Sequence, residues 1–173
     1  MKNFCIIANF EKTFLFSETV KEINKNKVFW IVVNKKQKNY LLSKFKKTNI
    51  LYLPKLGKIK PNYNKDNNNI KINEIIYSDR SLDNNSYENS AYLADSKLKI
   101  ENFFKKKKIS LVIGELTWAI EILTYQICKN LKNKKITFLN PASIRLPQNR
   151  IVFFTDIHQS QYFKRNKKEK IKI

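Results

Sequence analysis

Three side chains combine suitable chemistry with a setting typical of a ligand site. Glu115 follows the apolar run at residues 109–114 (ISLVIG) and precedes a segment with helical spacing. A carboxylate there can act as a general base toward a hydroxyl group, or it can accept hydrogen bonds from the free N–H groups of the helix. Arg145 and Arg150 lie in a proline-containing segment, residues 141–150 (PASIRLPQNR). Their guanidinium groups can hold a phosphate, a sugar acid or a carboxylate, or they can form salt bridges within the domain.

No glycine-rich phosphate-binding motif accompanies these residues. A GxGxxG loop or a P-loop needs glycines that let the backbone approach a phosphate, and the whole chain contains two. Dehydrogenases and NTPases of the common kinds are therefore disfavoured. Cys5 and Cys128 fit no metal-ligand spacing, so we expect buried thiols and no metal site. His158 has no motif partner, which favours a surface or packing role.

The elements that would position Glu115 alternate between strands and helices. Short runs of apolar, β-branched and aromatic residues predict strands at 3–8 (NFCIIA), 28–33 (VFWIVV), 50–53 (ILYL), 109–114 and 135–139 (KITFL). Apolar residues with helical spacing fall between the strands, at 14–24, 35–46, 83–104 and from Thr117 onward. This alternation predicts an α/β fold, a Rossmann-like parallel sheet with helices on both faces.

Ligands of such sheets bind beyond the carboxyl ends of the strands. The loops expected at that edge are residues 9–13, 114–117 and 140–150. We predict Glu115 as the catalytic residue and five others as substrate-binding residues: Asn9, Glu11, Thr117, Arg145 and Arg150. Thr117 is also the expected N-cap of the following helix.

The expected domain organisation is one α/β domain over residues 1–155. Residues 54–85 form a polar loop or insertion, because they include the run NYNKDNNN. Within it, residues 70–77 (IKINEIIY) alternate in a way that predicts a short edge strand. Residues 156–173 are expected to form a basic, flexible C-terminal tail.

The formal net charge of +21 points first to nucleic acid. Only four of the 35 basic residues are arginines, however, and the chain has 22 asparagines, as expected when AT-rich codons dominate. Codon bias is therefore the favoured explanation of much of the charge, and a surface for a polyanion or an anionic membrane is the alternative. The lysine run at residues 105–108 likewise suits either a helix C-terminus or a membrane contact.

Residues 109–154 resemble the N-terminal domain of bacterial capsular-polysaccharide and related surface-glycan glycosyltransferases. That domain has a strand ending in a glutamate, a helix, a short strand, and a loop with proline and arginine. The matching pieces here are Gly114-Glu115, the helix from Thr117, residues 138–141 and residues 145–150. The helix at residues 87–104 also lies where that family has one.

The resemblance implies the acceptor-side half of a two-domain enzyme that takes a glycan or lipid-linked acceptor and a nucleotide sugar as donor. This chain would bind no cofactor itself, and it would need a C-terminal donor-binding domain or subunit. The lack of a long apolar run or signal-peptide pattern predicts a cytoplasmic protein, free or peripheral at the inner face of the cell membrane. The alternative function is a basic nucleic-acid-binding α/β protein, with Tyr40, Phe45 and Tyr52 stacking on bases.

Overall fold

The structure is a computed structural model and describes residues 3–8, 27–54, 72–79, 82, 87–131, 136–144, 150–161 and 163. Its six strands are β1 (Asn3–Ile7), β2 (Val28–Val32), β3 (Ile50–Tyr52), β4 (Ile109–Ile113), β5 (Thr137–Ile144) and β6 (Arg150–Phe154). Its four α-helices are α1 (Lys35–Leu42), α2 (Ile72–Ser78), α3 (Tyr87–Lys107) and α4 (Ala119–Asn130). The described residues therefore form an α/β fold, as the alternation predicted.

The six strands form one sheet in the order β3-β2-β1-β4-β5-β6. Strands β1 to β5 pair in parallel, whereas β5 and β6 are antiparallel. The order reverses between β1 and β4, so the chain crosses from one edge of the sheet to its centre after β3. The expectation of a parallel sheet holds for β1 to β5, whereas β6 pairs antiparallel with β5.

Alternating side chains of the strands pack on opposite faces of the sheet. On one face, Ile31 of β2 and Val112 of β4 join the apolar sides of α2, α3 and α4 in the larger core cluster. On the other face, Trp30 and Val32 pack with Leu41 of α1. Helices thus cover both faces, as expected, because β2 is apolar at every position and is fully buried.

The hairpin of β5 and β6 changes the interpretation of residues 140–150, which had been predicted as a loop. β5 pairs with β4 only up to Leu139, and it then pairs with β6 from Asn140 to Ile144. Pro141 lies within this second ladder, opposite Phe153. The apolar run at residues 151–154 belongs to the partner strand, so β5 continues beyond the carboxyl end of β4 as one arm of a two-stranded ribbon.

The expected short strand at residues 70–77 is a helix, α2. Ile72, Ile75 and Ile76 are spaced as i, i+3 and i+4, which places them on one side of a helix. Ile75 and Ile76 are both buried in the larger core cluster. Tertiary packing of these adjacent isoleucines on one face is incompatible with a strand, whose neighbouring side chains point to opposite faces.

Residues 156–161, expected as the start of a flexible tail, form a hydrogen-bonded turn after β6. Asp156 accepts hydrogen bonds from the backbone N–H groups of Ser160 (3.0 Å) and Gln161 (2.9 Å). The backbone N–H of Phe163 then donates to the carbonyl of Phe153 in β6 (2.8 Å). Residues 164–173 lie outside the described part of the chain. In the described part, no helix has the length and apolar character needed to cross a membrane.

Candidate functional site

A cavity of about 560 Å³ lies at the carboxyl ends of β1, β2 and β3. Ile7 and Ala8 border it at the end of β1, Val33 at the end of β2, and Tyr52 and Pro54 at the end of β3. This volume is within the range of small-molecule sites. The cavity occupies the edge at which ligands of open α/β sheets bind, beside the point where the strand order reverses.

The first turn of α1 forms one wall of the cavity. Asn34 caps this helix, because its side-chain oxygen accepts hydrogen bonds from the N–H groups of Lys36 (2.7 Å) and Gln37 (3.4 Å). Asn34, Lys35, Lys36 and Gln37 all line the cavity. This wall therefore presents amide groups and two exposed lysines next to the capped helix end.

The opposite wall is the N-terminus of α4, where two buried carboxylates accept backbone hydrogen bonds. Glu121 accepts from the N–H groups of Thr117 (2.9 Å) and Trp118 (3.0 Å). Asp79, which follows α2, accepts from the N–H of Ala119 (2.8 Å). Both carboxylates line the cavity, and they are 2% and 3% exposed, respectively. They satisfy N–H groups that have no partner within the helix, and the positive end of its dipole stabilises their charge.

Three aromatic side chains complete the lining of the cavity. Tyr52 and Trp118 are half-buried, whereas Tyr92 is buried and donates its hydroxyl hydrogen bond to the carbonyl of Leu53 (3.2 Å). Burial raises the pKa of Tyr92 to about 12, so its hydroxyl keeps its proton at neutral pH. The cavity thus combines flat apolar rings with carboxylates and amides, a lining suited to a polar ligand that also has apolar faces.

Two predicted site residues, Glu115 and Thr117, lie near this cavity but are not among the residues that line it. Glu115 is half-buried and lies two residues after β4. The side chain of Thr117 is exposed, and Trp118, not Thr117, holds the N-cap position of α4. The prediction that Thr117 caps this helix was wrong, because Glu121 and Asp79 accept the N–H hydrogen bonds of that turn instead.

The remaining predicted site residues belong to the ribbon or lie outside the described residues. Arg150 is the first residue of β6, and its backbone pairs with that of Ile144 in β5. Ile144 lies four residues beyond Asn140, where the pairing of β5 with β6 begins. That position is about 13 Å along the ribbon from the end of the parallel sheet. Arg145, Asn9 and Glu11 are not among the described residues, so the convergence of Glu115 with the arginines stays a prediction.

Sequence reasoning missed the polar residues that do line the cavity. Asp79 was assigned to a polar insertion, and Glu121 was read as part of an amphipathic helix. One local signal existed for Glu121, since a glutamate at the third position of a helix commonly bonds back to the N-cap N–H. A second signal was Asn34, a preferred N-cap residue directly after a buried strand. No local pattern connects Asp79 with Ala119, which is 40 residues away.

The described side chains include no group of three or more His, Cys, Asp and Glu residues able to hold a metal ion. Comparisons of this chain with protein-family models, with curated proteins and with solved structures find no match. Any function proposed for the chain therefore depends on the geometry and chemistry of the cavity.

Proposed function

We propose that this chain is the acceptor-side domain of a two-domain glycosyltransferase of surface-glycan synthesis, and that its cavity binds a sugar unit of the acceptor. The cavity of about 560 Å³ at the carboxyl edge is the observation that carries the proposal. The strand order β3-β2-β1-β4-β5 is also that of Rossmann-like folds, whose ligands bind at this edge.

The lining supports a sugar as the ligand. A pyranose ring has C–H groups on its faces and hydroxyl groups around its rim. The rings of Tyr52 and Trp118 supply apolar surface for such a face, and the side-chain amides of Asn34 and Gln37 supply N–H donors for hydroxyl groups. Polar lining groups placed in this way fix the orientation of a ligand.

Glu115 remains the proposed general base, and it would act on an acceptor hydroxyl that extends from the cavity toward β4. A donor nucleotide sugar would come from a second domain or subunit that faces this edge. The nucleic-acid alternative receives less support, because Phe45 is buried against Trp30, with ring centroids 5.3 Å apart, and offers no ring to a base.

Saturation-transfer NMR with the full chain and a panel of neutral and acidic mono- and disaccharides tests this proposal. We expect transfer to at least one sugar, and Tyr52→Ala should remove it by deleting a ring from the cavity wall. Tyr77→Ala is the matched control, because Tyr77 is 70% exposed on α2 and does not line the cavity. Absence of transfer to every sugar, or equal transfer in both variants, would contradict the assignment. Thermal unfolding of each variant verifies that it is folded.

A further inference from the structure

The amino edge of the sheet, opposite the cavity, carries a concentration of lysines. Because β2, β3 and β4 are parallel, the residues that precede them lie at this one edge. Lys27 precedes β2, Lys46 and Lys47 come shortly before β3, and the run 105–108 joins the end of α3 to β4. Lys129, in the last turn of α4, is at the same end of the fold. We call these residues the basic edge.

Among the residues that the structure describes, no acidic residue is adjacent in sequence to a lysine of the basic edge. Asp79, Glu115 and Glu121 are at the carboxyl edge, and Glu88 is in the first turn of α3, which also begins there. The described acidic residue closest to the run 105–108 along the chain is Glu101, one helical turn, about 6 Å along α3, from Lys105. The eight lysines of the basic edge outnumber this carboxylate, so the edge carries a large excess of positive charge.

Neither composition nor the helix dipole accounts for this distribution. Codon bias enriches lysine throughout a chain, but it does not concentrate lysines at one edge of a sheet. The dipole favours lysines at the C-terminal ends of α3 and α4. It gives no preference for Lys27, Lys46 and Lys47, which lie outside the described α-helices.

We propose that the basic edge binds an anionic lipid bilayer. Lysines at the ends of several helices and strands lie along one edge of the sheet. A lysine side chain is a flexible point charge, which can be attracted to a charged surface without a fixed geometry. Exposed aromatic side chains, which would stack on the bases of a single-stranded nucleic acid, are missing from the described part of the basic edge. A membrane surface therefore fits the edge better than a single-stranded nucleic acid does, and the test below distinguishes a membrane from a duplex.

This proposal is independent of what the cavity binds, and it has a consequence for orientation. A five-residue strand spans about 17 Å, so the cavity would face away from the bilayer by at least that distance. If the cavity binds an acceptor sugar, the bound sugar would then belong to a part of the glycan that extends from the membrane into solution.

Co-sedimentation of the full chain with vesicles tests the proposal, with phosphatidylglycerol-containing vesicles compared with pure phosphatidylcholine vesicles. Two triple variants lower the net charge equally, one at the basic edge and one in α1 toward the carboxyl edge. The basic-edge variant carries Lys47→Gln, Lys105→Gln and Lys106→Gln, and the control variant carries Lys35→Gln, Lys36→Gln and Lys38→Gln. A third variant lacks residues 164–173, since the lysines of that segment offer another route to the bilayer.

We expect the wild-type chain to bind the anionic vesicles alone. The partition coefficient of the basic-edge variant should be lower on the order of 100-fold, because each lysine near the surface contributes about a fivefold factor. The control and the truncated chain should each change it by less than about threefold. Equal losses in both triple variants would show that net charge alone governs vesicle binding, and this would overturn the proposal. A loss confined to the truncated chain would assign vesicle binding to the tail and would overturn it as well. Wild-type chain that binds a DNA duplex but no vesicle would also overturn the proposal.

Discussion

At the residue scale, the carboxylates of Asp79 and Glu121 organise one wall of the cavity. Each accepts hydrogen bonds from backbone N–H groups at or just before the start of α4, and each is almost fully buried. Loss of Asp79 would leave the buried N–H group of Ala119 without its present partner, which costs more free energy than the loss of a hydrogen bond at the surface. Loss of Glu121 would remove the acceptor of two part-buried N–H groups, those of Thr117 and Trp118. The position of α4 against α2 therefore depends on Asp79 in particular.

Substitution Asp79→Ala should lower the free energy of unfolding by about 1–3 kcal/mol, because the N–H of Ala119 loses its acceptor in a buried setting. Urea denaturation measures the change. Asp95→Ala is the control, since Asp95 forms a partly exposed ion pair with Lys99 on α3, and it should change stability by about 0.5 kcal/mol or less. Equal effects of the two substitutions would disprove a structural role for the Asp79 contact.

Gly114, directly after β4, has no side chain and therefore permits β4 to lie close to Ile7 of β1 at the carboxyl edge. A Cβ atom at this position would approach Cδ1 of Ile7 to 2.7 Å, well inside van der Waals contact. Gly114→Ala should therefore destabilise the fold by about 1–3 kcal/mol.

Ile7→Val removes that Cδ1 atom and provides a test by double-mutant cycle. Alone, it should cost about 0.5–1.5 kcal/mol, and in the Gly114→Ala background it should cost less or stabilise the protein. Additive effects would mean that the two side chains do not clash.

At the element scale, the turn that follows β6 is held by one carboxylate. Asp156 accepts the backbone N–H hydrogen bonds of Ser160 and Gln161 and the hydroxyl hydrogen bond of Ser160 (2.8 Å). The turn returns the chain along β6, since the N–H of Thr155 donates to the carbonyl of Gln161 (3.0 Å). An ordered turn thus covers part of an edge strand that would otherwise be open to pairing with another chain.

This turn should loosen in acid. The hydrogen bond from the Ser160 N–H, followed by that from Gln161, holds the pKa of Asp156 below its ordinary value of 3.8. A lowered pKa means that the carboxylate stabilises the turn above about pH 4, and that this contribution is lost as the pH falls through the pKa of the folded state. NMR titration of the Ser160 and Gln161 amides should give a shared midpoint below 3.8, and Asp156→Asn should abolish it. A midpoint at or above 3.8 would contradict the contact.

At the scale of the whole molecule, stability in alkali depends on groups buried in the core. Cys5 and Cys128 are buried and belong to the same core cluster. Burial raises the pKa of the Cys5 thiol and raises that of Cys128 to about 12, from an ordinary value of 9.0. Tyr92, in the same cluster, titrates at about 12 for the same reason.

The free energy of unfolding should therefore decrease as the pH rises above about 9. The unfolded chain releases these protons at lower pH than the folded chain, so each thiol lowers stability by about 1.4 kcal/mol per pH unit until the pKa of the folded state is reached. Urea denaturation at several pH values measures the slope. Cys128→Ala should reduce that slope, and an unchanged slope in this variant would contradict the assignment.

The sequence alone determined most of the described elements and much of the core, although α2 was expected as a strand and β6 was not expected. Ile120, Leu123 and Ile127 were expected on one side of a helix, and all three are buried in α4. The period of apolar residues decides this locally, because it sets which side of an element excludes water. The fully apolar β2 likewise indicated a strand covered on both faces.

Only the tertiary structure decided which elements are neighbours. Local periodicity contains no information on strand order, on the antiparallel return of β6, or on the packing of α2 beside α4. The candidate site follows from those choices, since Asp79 reaches Ala119 across 40 residues of sequence and Asn34 faces the same cavity from a different helix. Contacts of this kind depend on the combined packing of the whole core, so no short segment of the sequence specifies them.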